Sequence, residues 1–64
     1  MTATERREKL DRLAAELRQL IEQFLVNAEQ TTPVARMKML EVSISVRPAM
    51  EEIVKVATER VRPE

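Results

Sequence analysis

Ser43 and Ser45 are the residues of this sequence that come nearest to catalytic chemistry, because a hydroxyl can act as a nucleophile when a base activates it. The 64 residues contain no His, Cys or Tyr, so lysine is the one conceivable activator. We therefore expect both serines to be small polar residues at a packed or solvent-facing position. We also expect that the protein is not an enzyme.

Carboxylates are the next residues with chemistry to offer. Helical bundles hold metal ions with glutamates on inward faces, usually with a histidine three residues further on. Glu16, Glu22 and Glu29 fall off the apolar stripe of their segment, and Glu41 alone lies near an apolar face. Because a single glutamate without histidine is a poor metal ligand set, the sequence predicts no metal site and no cofactor.

The composition disfavours several classes of partner. Eleven Lys and Arg balance eleven Asp and Glu, so there is no net charge to attract nucleic acid or an anionic membrane. Phe24 is the one aromatic residue, and glycine is absent, which removes base-stacking platforms and phosphate-binding glycine loops. A highly charged chain without glycine is typical of helical bundles and coiled coils.

The N-terminal segment, residues 1–9, carries charges of both signs and is not followed by a continuous apolar stretch. This pattern predicts that there is no signal peptide. The longest apolar run is Phe24-Leu25-Val26, which is far too short to cross a membrane. We therefore expect a cytoplasmic protein that does not contact membranes.

Start and stop signals predict two helices in a single domain, residues 1–64. Thr2 to Glu5 match a capping box, and Thr32 before Pro33 is typical of a second helix start. The expected elements are a helix over about 3–29, a turn at 30–32 and a helix over about 33–61.

Two arms of nearly equal length around a short break predict an all-α antiparallel helical hairpin. Pro48 interrupts the second arm, where a proline removes a helical hydrogen bond, and we expect a kink there.

The apolar residues predict that the hairpin does not exist alone. The stripe of the first helix is wider than one neighbour can cover, and the second arm is apolar on two sides. Two hairpins would then pack as a four-helix bundle or a larger oligomer, similar in size and layout to the Rop-type RNA-binding hairpin dimers. The predicted oligomer interface comprises Leu10, Leu13, Leu17, Leu20, Ile21, Phe24, Ile44, Ile53 and Val54. The predicted partner-binding face comprises Met39, Val42 and Val46.

Residues 40–47 also support a different interpretation, because apolar and polar side chains alternate there as in a half-buried strand. Residues 42–48, followed by a helix over 49–60, resemble the start of a ribbon-helix-helix repressor. In that family two strands from a dimer enter the major groove of DNA. The resemblance implies that Ser43, Ser45 and Arg47 would contact bases. The good helix formers at 35–41 favour the helix instead.

The hypothesis that fits most of these patterns is a non-catalytic protein–protein interaction module. It would be a small homo-oligomeric scaffold, adaptor or accessory subunit that binds itself and another protein. The alternative is a small dimeric DNA-binding regulator with a ribbon at 41–47. An RNA-binding bundle would need its basic residues gathered on one outer face, which Arg6, Arg7, Arg12 and Arg18 could supply in a dimer.

Overall fold

The computed structural model describes residues 1–63 and contains two α-helices joined by a short turn. Helix α1 spans Ala3–Ala28 and helix α2 spans Pro33–Ala57. Within the described residues there is no strand, and the one isolated β-bridge joins Thr2 and Arg62. The predicted all-helical hairpin is therefore confirmed at the level of its two helices.

Both helices begin where the capping residues were predicted to lie. Thr2 has extended backbone angles, and its hydroxyl accepts a hydrogen bond from the Glu5 amide at 3.2 Å. The same hydroxyl donates to the Glu5 carboxylate at 3.3 Å. Thr32 accepts from the Ala35 amide at 3.1 Å, and Pro33 follows it at the first helical position. These bonds satisfy amide groups that a helix N-terminus otherwise leaves unpaired.

Residues 40–47 are helical, so the ribbon interpretation is wrong for this chain. The serines of the alternating pattern are accommodated locally. The Ser43 hydroxyl donates to the Leu40 carbonyl at 2.7 Å, and the Ser45 hydroxyl donates to the Glu41 carbonyl at 3.3 Å. A serine inside a helix can satisfy its hydroxyl in this way without leaving the helix. The preceding helix formers and the Thr32 cap therefore outweigh the β-branched residues of this stretch.

Helix α2 ends at Ala57, rather than near residue 61 as predicted. Thr58 is the C-cap, and its hydroxyl donates to the carbonyls of Val54 and Lys55 at 2.8 and 3.2 Å. After this cap the chain turns towards the start of α1, where the Arg62 amide donates to the Met1 carbonyl at 2.8 Å. The Arg6 guanidinium donates to the Glu59 carbonyl at 3.2 Å. The last residues thus pack on α1 and do not extend α2.

Pro48 lies inside α2, which is helical on both sides of it. Its nitrogen carries no hydrogen and cannot donate to the Ile44 carbonyl one turn earlier. Pro48 and Ile44 are both exposed, so water can reach that part of the helix. The kink itself stays a prediction.

The two helices contact each other through one narrow series of residues from each. Both series recur at steps of three and four residues, which is heptad spacing. We call these two series the seam. In α2 the seam residues are Ala35, Met39, Val42, Val46, Ala49, Ile53 and Val56. In α1 they are Arg6, Leu10, Leu13, Leu17, Leu20, Phe24 and Asn27.

The seam buries little of the protein. Among the described residues the fully buried side chains are Ala35, Val42 and Val56, all of them in α2. Helix α1 has no fully buried residue. The molecule measures 52 × 15 × 9 Å between Cα atoms, so it is a flat rod rather than a globule. A rod one helix thick exposes both of its broad sides.

Val56 and Val34 form a matched pair for testing the seam, because they lie in the same helix at 1% and 68% exposure. Val56→Ala should lower the free energy of unfolding by about 2 kcal/mol, through lost burial and a residual cavity. Val34→Ala should change it by less than about 0.5 kcal/mol. Urea unfolding followed by circular dichroism measures both. Equal effects of the two substitutions would contradict the seam.

Replacing Pro48 with alanine should stabilise the chain by about 1–3 kcal/mol, because alanine restores the amide donor and relieves the clash with the preceding turn. Helical ellipticity at 222 nm and the urea midpoint should both rise. Ser45→Ala is the control, since it adds alanine's helix propensity at a position that already has an amide. If the two substitutions raised the free energy of unfolding equally, the prediction that Pro48 destabilises α2 would be contradicted.

Candidate interaction surface

The seam divides the hairpin into two broad sides, and helix geometry determines which residues lie on each. On α1, the residues that directly follow seam residues Leu13 and Leu20 lie on one side, whereas those that directly precede Leu10 and Leu17 lie on the other. Because two antiparallel right-handed helices are related by a half-turn, residues that follow Val42 and Ala49 in α2 share the first side.

One broad side is apolar. From α1 it presents Ala14, Ile21, Leu25 and Ala28, and from α2 it presents Ser43, Met50, Val54 and Ala57. Ile21, Leu25, Met50 and Val54 are all exposed. We call this surface the apolar side.

The opposite broad side is polar at the corresponding positions. It presents Lys9, Glu16 and Gln23 from α1 and Lys38, Ser45 and Glu52 from α2. At most positions that flank the seam, the two sides differ in polarity. The exceptions include Arg7 and Arg36, which lie on the apolar side, and exposed Val34, which lies on the polar side.

The apolar surface continues from the apolar side onto the outer face of α2, which points away from α1. Met37, Leu40 and Ile44 recur there at steps of three and four residues, and Ile44 is 74% exposed. Beyond Pro48 the same face carries Glu51 and Lys55. The outer apolar stripe is therefore confined to the half of α2 nearest the turn.

The structure separates the residues that the sequence grouped as interface and partner-binding surfaces. Of the predicted oligomer interface, the half-buried seam residues are Leu10, Leu13, Leu17, Leu20 and Ile53, whereas the exposed ones are Ile21, Phe24, Ile44 and Val54. The predicted partner-binding residues Met39, Val42 and Val46 lie in the seam, and Val42 is fully buried. Because α1 packs against that face, little of it is exposed, and the partner-binding role of these residues stays a prediction.

The sequence contained a signal for this arrangement. The α2 seam series keeps heptad spacing without interruption from Ala35 to Val56. Ala35 and Ala49 of this series present little apolar area. The series is therefore harder to recognise in the sequence than the one formed by the larger Met37, Leu40 and Ile44. On the apolar side and the outer stripe of α2, the large exposed residues that the sequence did not assign to an interface are Leu25, Met37, Leu40 and Met50.

The residues considered for catalysis and for RNA binding are not brought together. Ser43 and Ser45 donate their hydroxyl hydrogens to backbone carbonyls of their own helix, as described above. Arg6 is half-buried in the seam, and Arg7 forms an exposed ion pair with Asp11 at 3.2 Å. Arg12 lies on the opposite broad side from Arg7 and Arg18, so these arginines do not form one basic face. No cluster of ligating side chains for a metal ion occurs among residues 1–63.

A cleft of about 380 Å³ lies at the turn. Its lining residues are Gln30, Thr31, Thr32, Pro33, Arg36 and Met39. Its size is near the lower end for small-molecule sites, and Arg36 is its one charged group. All of its lining residues lie at or near the turn, so the cleft belongs to the surface of that end of the hairpin.

Neither of the described helices is long and apolar enough to span a membrane. No protein-family model matches the chain, and neither a curated protein nor a solved structure shows significant similarity to it.

Proposed function

We propose that this protein is a non-catalytic interaction module, a small homo-oligomeric helical scaffold, adaptor or accessory subunit. Hairpins would associate through the apolar side to form a four-helix bundle. The observation that carries the proposal is that α1 has no fully buried residue, although it is rich in leucine. A helix with this much apolar surface needs a second neighbour besides α2.

Energetics supports association. A chain of 64 residues buries a small part of its surface, and such chains usually rely on disulfides, metals or oligomerisation. There is no cysteine in the sequence. Covering a leucine or isoleucine side chain completely contributes about 1.5–3 kcal/mol. Burying Ile21, Leu25, Met50 and Val54 in a second copy would therefore add several kcal/mol to a hairpin that has three buried side chains in its described part.

Leu25 and Val26 provide a sharp test, because they are adjacent in α1 and 57% and 58% exposed. Leu25 lies on the apolar side, whereas Val26 points away from it. Leu25→Glu should raise the dissociation constant of the oligomer at least about tenfold, since it places a charge in an apolar contact. Val26→Glu should leave it unchanged. Sedimentation equilibrium over a range of concentrations gives both constants.

The unmodified chain should sediment at a multiple of its 7.4 kDa monomer mass. Circular dichroism should show that both variants remain helical, so that a loss of mass reports association rather than unfolding. A monomeric unmodified chain, or equal weakening by the two variants, would overturn the proposed assembly through the apolar side.

A further inference from the structure

Helix α2 ends at Ala57, although the sequence beyond it is compatible with another helical turn. Helices very commonly end at a glycine or asparagine in the left-handed region. No residue among 1–63 has a positive φ angle, and Thr58, with φ −100° and ψ −1°, is in the right-handed helical region. Glu59 and Arg60 are residue types that favour helices. The sequence itself prevents a helix from continuing only at Pro63.

Contacts with the start of the chain hold residues 58–62 in their observed conformation, and we call these residues the strap. The Arg6 guanidinium donates to the Glu59 carbonyl at 3.2 Å, and both residues are half-buried. The Arg62 amide donates to the Met1 carbonyl at 2.8 Å. Since these distant contacts, rather than a local stop signal, keep the strap out of the helix, releasing them would allow α2 to lengthen.

A longer α2 would enlarge the apolar side. Val61 follows Val54 by seven residues and Ala57 by four, and both of those residues lie on the apolar side. In a continued helix Val61 would therefore lie beside them on the same surface. In the strap Val61 is instead half-buried at the end of the hairpin. The two conformations of the strap thus differ by one apolar residue on the surface proposed to bind a second copy.

A separate hairpin favours the strap for a physical reason. In a continued helix Arg60 would take the next seam position after Val56, at the end of the seam where Arg6 lies. The two like charges would repel each other, and Arg6 would lose its hydrogen bond to the strap. A second copy on the apolar side changes this balance, because covering Val61 with apolar surface favours the longer helix.

We propose that the strap is a conformational switch coupled to association. In the separate hairpin it folds back on α1. When a second copy covers the apolar side, it becomes one more turn of α2 and places Val61 in the interface. This inference rests on the proposed function and adds a regulatory element to it. Because the strap must be released for the full interface to form, its contacts with α1 lower the affinity between copies.

Backbone carbon chemical shifts of residues 58–62, measured by NMR, distinguish the two conformations. The unmodified chain, studied as the oligomer, should give helical shifts for these residues. Leu25→Glu, which keeps the copies apart, should give non-helical shifts for residues 59–62. Sedimentation equilibrium under the same conditions gives the mass of each sample, so that every spectrum is assigned to the separate hairpin or to the oligomer.

The outcomes separate this inference from the proposed function. Non-helical shifts in both samples, with the unmodified chain oligomeric, would overturn the switch and leave the proposed function intact. Helical shifts in both would also overturn it, because the separate hairpin would then have no strap. A monomeric unmodified chain, or a Leu25→Glu variant that remains oligomeric, would overturn the proposed assembly and, with it, this inference.

Arg6→Met tests the coupling directly, since it removes the donor to the strap and retains an apolar side chain in the seam. It should lower the dissociation constant of the oligomer about three- to tenfold. In the Leu25→Glu background it should also move the shifts of residues 59–61 towards helical values. Arg12→Met is the matched control, six residues further along α1 on the polar side, and should change the constant less than about twofold. An unchanged or raised constant for Arg6→Met would contradict the coupling.

Discussion

Packing of α1 against α2 along a heptad-spaced seam is the interaction from which the other features of this protein follow. Seven residues of each helix contribute to it, and they recur at steps of three and four. A seam of this kind covers one stripe on each helix and leaves the flanking positions open. Whatever those flanking positions carry becomes the surface of the molecule. In this chain one flank is mainly apolar and the other is mainly polar, so the two broad sides of the hairpin differ in polarity.

The ends of the hairpin are held by polar contacts that do not depend on the seam residues' size. Threonine caps begin both helices, and Thr58 caps the C-terminal end of α2. The Arg62 amide and the Arg6 guanidinium then join the last residues to the start of α1. These contacts join the C-terminal residues to the start of α1 and add little burial.

The proposed function rests on the open sides of the hairpin. The hydroxyls of Ser43 and Ser45 donate to backbone carbonyls of their own helix. The most distinctive surface of the chain is an apolar side on which Ile21, Leu25, Met50 and Val54 are exposed. That surface is suited to helix packing.

The sequence alone determined the number of helices and their starting residues, and it favoured helix over strand at residues 40–47. Caps, proline positions and helix propensity act over a few residues, so they can be recognised without knowledge of what packs where. The end of α2 was predicted too late, because the signal was a hydrogen-bonded Thr58 cap and a contact with distant Met1. A contact between residues so far apart in the chain leaves no recognisable pattern in the sequence around either of them.

The tertiary structure decided which apolar stripe of α2 faces α1. That helix has two apolar stripes, and the one with the larger exposed side chains, Met37, Leu40 and Ile44, points away from α1. The seam instead uses Ala35 and Ala49 together with Val42, because small residues let the two helices approach closely while their larger neighbours fill the contact. Polarity along the sequence shows that a helix has two apolar faces. Which face is buried depends on the shape of the opposing helix, and that is information no single stretch of sequence contains.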